Sequence, residues 1–491
     1  MNEKHVIDNV VRGRACERLY RRNMKRMLVG LAALAACGGD PPGNGTPGSG
    51  GLGGSSSSSS GAGGGAGGPS SSSSGSGGVG GGAQGALAAF PGAQGFGTDT
   101  PGGRGGRVVE VTTLAASGPG SLEEALLLPE PRTVVFRVSG VIDWPTDVAL
   151  GAEHSFLTVA GQTSPGGITI RGGGALTTYH AGLHDVVLRF LRFRGNGSYD
   201  NVSLAEIDHL VIDHCDFSGA EDEALDITYA RDITIQWSTI TNSGPGGQRY
   251  GFLLAYPPTT NISMHHTFSA HHVNRCAPHM HWADVGVPAE GAQMDFRNNV
   301  IYNCAFEKVW DITGPDSGEL RLNFVGNYAK AGPSTPMGEN TVFGGFSAAT
   351  SLFNQDNVYA PSFPIESVFS EPMNAAAAHP FPQVDTQSAA EALDAVLASV
   401  GAFPRDPMNL RTIAEVQNGT GTLGKVDDAL IESGPPPEPD TDHDGMSDAW
   451  ETAHGLDPAE PKDGPTDLDG DGYTNLEEYL HDVATTRLMG L

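Results

Sequence analysis

From Phe90 onward, short β-branched and aromatic runs alternate with patches of Gly, Asn, Asp and Ser. The runs include RTVVFRVSGVI, SFLTVAG, GITIRGGG, DVVLRFLRFRG, HLVIDHCDFSG, DITIQWSTITN, NISMHHTFSAHH, MDFRNNVIYN and ELRLNFVGNY. From VVLRF on, successive runs start about 23 to 32 residues apart, and no helical 3.6-residue pattern of any length lies between them. Recurrence of one strand type at such a period marks a stacked repeat. Gly and polar residues punctuate each run, as the corners of a coil require. The pattern predicts an all-β fold, a parallel β-helix in which each coil covers the edges of its neighbours. An antiparallel sandwich is the alternative, but its tight two-residue hairpin signals are missing.

This architecture turns spacing into geometry, because residues one coil apart lie above one another. Asp200 precedes the strand HLVIDHC, and Asp222 and Asp226 follow it in EDEALDI, 22 and 26 residues after Asp200. Arg249 stands 23 residues beyond Asp226, and Arg275 stands 26 beyond Arg249. Three carboxylates and two guanidiniums would climb one side of the coil. Each alone reads as a solvated corner residue; the shared spacing is what sets them apart.

The flanks read differently. MKRMLVGLAALAAC, Met24 to Cys37, has a basic start, an apolar run and small residues before Cys. The run is too short to span a bilayer and fits a signal segment. LAAC resembles the lipobox of bacterial lipoproteins, which implies lipidation at Cys37 and a cell-surface or outer-membrane lipoprotein, or a secreted one. Residues 1–23 precede this complete signal, so Met24 is the expected start. Residues 38–88, rich in Gly and Ser, have too little apolar surface to bury and read as a disordered tether.

The formal net charge is −29 over 491 residues, which argues against a nucleic-acid partner. A polyanionic substrate would need a bridging cation. Five cysteines do not define the fold. Cys276 and Cys304 are able to pair, but buried thiols are the expectation.

Six of the sixteen histidines fall in HHTFSAHHVNRCAPHMH, His265 to His281. A transition-metal site needs converging imidazoles, and nothing in the sequence makes them converge. His265 and His266 alternate faces of a strand, so at most one points inward. His271 and His272 look like a strand end. The group reads as surface or corner histidines.

FPGAQGFGTDTPGGRGGRVVEVTTL, RTVVFRVSGVI, VAGQTSPGGITIRGGG, VIDHCDFSGAEDEALDI and MHHTFSAHHVNR together resemble polysaccharide lyase family 1, the pectate lyases, over about Ala89 to Gly332. The resemblance implies a right-handed parallel β-helix that cleaves 4-linked galacturonan by β-elimination, usually with Ca²⁺. It further implies that Asp200, Asp222 and Asp226 are calcium acids, that Arg275 is the proton-abstracting base and that Arg249 contacts the substrate carboxylate. A cation joining an acidic enzyme to an acidic polysaccharide answers the charge question. Two departures stand out. The run after the arginine is RCAPHMH, with His279 or His281 where a second basic contact belongs, and Thr267 replaces an expected Asn. Two rivals are a non-catalytic β-helix adhesin that binds surface polysaccharide and a Ca²⁺-independent pectin lyase; the three retained aspartates argue against the second.

Past Gly332 the resemblance fades. EALDAVLASVGAFPRD predicts a helix and a loop that close the coil, so the β-helix domain is taken as 89–430. A Pro-rich linker, 431–439, leads to a calcium-binding double-loop module, 440–491. DTDHDGMSDAWE and DLDGDGYTNLEE each match an EF-hand-type loop. The predicted ligands are Asp440, Asp442, Asp444, Asp448 and Glu451, then Asp467, Asp469, Asp471, Asn475 and Glu478, with Gly445 and Gly472 at the sharp turns. The short flanks resemble a dockerin or thrombospondin type 3 pair. Structural stabilisation is the expected role and docking the alternative. The whole is expected to be a monomer.

Overall fold

Each β-branched run forms a strand that pairs in parallel with the run one coil away. The computed structural model describes residues 87–172, 176–178, 181–195, 200–243, 250–274, 276, 278–281, 291–305, 308–313, 319–336, 341–344, 350–360 and 374–490. The segment Met24–Cys37, the tether to residue 86, Arg249 and Arg275 lie outside them. Gly81–Leu491 forms one compact unit.

Three parallel sheets run the length of the coil, with ten, eight and nine strands among the described residues. The first sheet runs from Arg107–Val111 to Thr350–Gln355, and its middle strands are Ile207–Asp213, Arg231–Gln236 and Thr260–His265. The second includes Val202–Ala205, Glu223–Thr228, Tyr250–Ala255 and His279–His281. The third includes Asp216–Ser218, Thr239–Thr241, Phe268–Ala270 and Val300–Tyr302. Neighbours stay in register, as in Leu210↔Ile233 and Ile233↔Ile262. Inward residues therefore stack on their own kind; Leu210, Ile233, Ile262 and Met294 belong to one buried core. The predicted parallel β-helix is the fold.

The corner between the first and third sheets is a single left-handed residue. Phe190, His214, Trp237 and His266 hold it in four successive coils, at φ of 55°, 50°, 49° and 52°. Their rings stack at centroid separations of 4.8, 6.0 and 4.3 Å. The next residue begins a buried polar ladder. Asn299 Nδ2 donates to Asn327 Oδ1 at 3.0 Å, and Asn327 Nδ2 donates to Asn357 Oδ1 at 2.9 Å. Thr267 joins it, its hydroxyl donating to Asn299 Oδ1 at 2.8 Å.

The Gly-rich opening lies along the first sheet. Gly97 N–H donates to Thr234 Oγ1 at 2.9 Å, and Phe96 N–H donates to Ser263 Oγ at 3.1 Å. A Cβ on Gly97 would come within 2.4 Å of Leu210 O, so only glycine permits this approach.

Two expectations are corrected. The helix Ala389–Ser399 does not close the coil. Its Val396 and Leu397 pack sideways onto Phe268, Ala270, Val300 and Tyr302 of the third sheet. A second helix, Pro407–Asn418, packs beside it through Ile413 and Val416, held by Asp406, whose carboxylate accepts from Asn409 N–H at 2.9 Å and from Arg194 at 2.6 Å. Cys276 and Cys304 are not thiols but a disulfide, with Cα atoms 5.7 Å apart. Register explains it, because the strands before them, Phe268–Ala270 and Val300–Tyr302, are adjacent.

Candidate active site

The strand Glu223–Thr228 organises the acidic cluster. Leu225 and Ile227 point into the core, as do Val202 and Leu204 of the adjacent strand. Ser203 and Asp226, in register with each other, take the outer face. Ser203 Oγ donates to Asp226 Oδ2 at 3.0 Å. Asp200 sits three residues ahead of Ser203 and accepts from Glu223 N–H at 3.0 Å.

Asp200, Asp222 and Glu223 bring one carboxylate oxygen each within 4.8 Å of one another. Glu223 is the member that the sequence reading missed. Ala224 and Leu225 are both in the core, so the in–out alternation slips there. The slip puts Glu223 on the side of Asp226. The signal was present as the third acid of EDE, but strict alternation would hide it.

Burial and mutual repulsion act on all of these groups. Burial, with Asp222 nearby, pushes Asp200 up to about 6. Burial and the charge of Asp200 push Asp226 up to about 8. Burial and the charges of Asp200, Asp222 and Asp226 push Glu223 up to about 11. Crowded carboxylates of this kind take up protons unless a cation balances them. The donors are all oxygen, the set that suits a hard divalent ion such as Ca²⁺.

The remaining candidates are framed rather than displayed. Arg249 is outside the described residues; its neighbour Tyr250 pairs with Glu223. His279 occupies the register column of Asp226, two strands along, through Leu253. His281 falls in register with Ala255 and so with Thr228. Arg275 is also outside the described residues, but both flanks are held. His272 Nε2 donates to Ile240 O at 2.8 Å on one side, and Cys276 is tied to Cys304 on the other.

His266 and His271 are left-handed corner residues and His265 ends a strand, but all four of His265, His266, His271 and His272 are buried and none is a surface group. His265 Nδ1 lies 3.0 Å from His266 Nδ1, and His265 Nε2 donates to Gln94 O at 3.4 Å. Burial pushes His265 down to about 3 and His266 and His272 down to about 4, so they are neutral near pH 7. Among the described residues, the groups able to hold a metal contain carboxylates alone. The VIDHC motif is also interior: Asp213 accepts from Arg189 at 2.8 Å and from Gln236 at 2.9 Å, and lies 2.8 Å from His214.

In the C-terminal loops, Asp440, Asp442 and Asp444 converge, as do Asp467, Asp469 and Asp471. Asp448 and Asn475 lie outside these clusters. Asp448 accepts from Thr441 N–H at 2.7 Å and its hydroxyl at 2.8 Å. Asn475 donates to Asp463 O at 2.8 Å and accepts from Leu468 N–H at 3.1 Å. Asp448 pins the first loop on itself, and Asn475 pins the second and ties it to the segment before it. Burial and the charges of Asp469, Asp471 and Asp467 push Glu478 up.

No family model matches the chain. Among curated proteins, it is 31% identical over 421 residues to "Probable pectate lyase C" of Aspergillus fumigatus, which covers 81% of this chain and 94% of that protein. The protein of the same description from Aspergillus terreus is 31% identical over 421 residues, with the same 81% and 94% coverage. Among solved structures, a Bacillus subtilis pectate lyase variant is 15% identical and covers 65% of this chain and 99% of that one, with a TM-score of 0.47.

Proposed function

The chain belongs to the pectate lyase family and is a polysaccharide lyase; from that premise we propose that it cleaves 4-linked galacturonan by Ca²⁺-dependent β-elimination. The observation that carries the calcium part of the reading is the crowding of Asp200, Asp222 and Glu223, with Asp226 beside them, on one face of the coil. Asp200, Asp222, Glu223 and Asp226 are the proposed holders of Ca²⁺. When bound, Ca²⁺ would neutralise the uronate carboxylate and acidify the neighbouring C5 proton.

The chain's own groups do the rest. Arg249 is assigned to the substrate carboxylate, where a guanidinium steadies the enolate-like charge. Arg275 is assigned the C5 proton. An arginine is an unusual base, since its pKa lies above about 12 in water; desolvation and nearby positive charge lower it. Departure of O4 then leaves a 4,5-unsaturated end. His279 and His281 lie on the strand that continues the column of Asp226, which favours a role in substrate contact. The segment Met24–Cys37 supports export, with lipid attachment at Cys37.

The test is an ultraviolet assay for the unsaturated product, on polygalacturonate and on methylated pectin, with and without chelator. Activity on polygalacturonate that chelator abolishes is the expected result. Arg275→Ala should lower kcat by about 10²–10⁴-fold. Undiminished cleavage of methylated pectin in chelator would overturn the calcium reading, and absence of product on both polymers would overturn the substrate.

A further inference from the structure

The Pro-rich stretch before Asp440 suggests a free module on a stem, yet residues 440–490 pack along the β-helix. Met446, Leu476 and Leu480 are buried against Val135 and Ala160. Arg487 donates to the carbonyls of Gln162, Ser164 and Pro165 at 3.3, 2.9 and 2.8 Å. Arg104 Nε donates to Glu477 at 2.7 Å.

The first acidic loop is itself part of this seam. Arg137 reaches Glu110 at 3.3 Å and Asp440 at 3.5 Å, and His443 Nδ1 lies 3.0 Å from Glu110. Gly445 turns at φ +95°, and a Cβ there would come within 2.9 Å of Val108.

Beside Asp440, Asp442 and Asp444, a second group converges: Asp444, Glu451 and Asp463 bring one oxygen each within 4.8 Å of one another. Asp463 belongs to neither twelve-residue loop. Glu451 is 0% exposed, and neither of its oxygens has a hydrogen-bond partner. Asp444 Oδ2 and Asp463 Oδ1 are likewise buried without a donor. Asp448 is turned away, its carboxylate taken by Thr441. Buried carboxylates without donors are costly unless a cation coordinates them. An all-oxygen set of this size fits a hard divalent ion.

We propose that Asp440, Asp442, Asp444, Glu451 and Asp463 hold one Ca²⁺, with Asp463 supplying a ligand from outside the loop in place of Asp448. Because the loop is built into the seam, filling this site clasps the module onto the β-helix. The module is a calcium-operated part of the lyase domain rather than a free docking unit. This does not depend on how the Asp200 cluster is read.

The test uses the full chain, with thermal unfolding followed by far-ultraviolet circular dichroism in Ca²⁺ and in chelator. Asp226→Asn, which removes a proposed holder of Ca²⁺ at the active site, should still keep a rise in Tm from Ca²⁺, because the module site is intact. Asp463→Asn and Glu451→Gln should need roughly tenfold or more Ca²⁺ for half the rise. In chelator, Asp463→Asn should be at least as stable as wild type, because it relieves repulsion; a merely structural role would lower Tm in both conditions. Ca²⁺ should also slow proteolysis across residues 433–439 in wild type but not in Glu451→Gln. A wild-type response in both module variants, or loss of the rise in Asp226→Asn, would overturn the site. Calcium binding without protection of 433–439 would overturn the clasp.

Discussion

Thr267 changes meaning once its neighbours are known. As a departure from the family pattern it suggests an altered substrate. In the fold it is a rung of the buried ladder that continues through Asn299 and Asn327, at the corner between the first and third sheets. Thr267→Asn should therefore leave KM for polygalacturonate unchanged and act on stability alone, which steady-state kinetics and Tm will separate. The buried histidines carry a second residue-level consequence. His265, His266 and His272 have their pKa values lowered from 6.5 to about 3, 4 and 4, mainly by burial. Between those values the unfolded chain binds more protons than the folded one, so stability rises with pH there. Their contribution is full above about 6.5 and is lost as pH falls toward 4. Urea midpoints at pH 7 and pH 4.5 should show this fall, and His265→Gln should flatten its slope by about one proton. No spacing rule announces such burial; for His265 it comes with Gln94 of the N-terminal strap, whose carbonyl accepts from its ring.

The strands were the most legible elements. A strand repeated once per coil pairs with itself in register, so period, strand and core position are one piece of information. The aromatic and asparagine stacks follow from the same register. Asn327 donates to Phe296 O at 3.1 Å and accepts from Asn299 N–H at 2.9 Å, besides its two ladder partners. Asn327→Ala should cost about 2–4 kcal/mol by stranding those buried groups, readable from chemical denaturation. The helix Pro407–Asn418 was missed, although Asp406–Pro407 before it and Gly419 after it are start and stop signals. Its apolar stripe is short, and its partner surface is the outside of a sheet assembled from residues more than a hundred positions earlier.

At the scale of the molecule, the coil's outer surface is covered in sectors: the Gly-rich strap, the two lateral helices and the C-terminal acidic loops. Deleting residues 431–491 should uncover Val135 and Ala160 and lower Tm by several degrees, with aggregation on heating. The sequence by itself determined the repeat, hence the coil, and the twin acidic loops, because each is encoded at short range by period and residue type. It also placed Asp200, Asp222 and Asp226 in adjacent coils. The tertiary structure alone decided that Glu223 joins them, that Cys276 meets Cys304, that the histidines are interior and that Asp463 faces Glu451. Each of these depends on a slip in alternation, on strand register or on packing between distant segments, which spacing along the chain does not record.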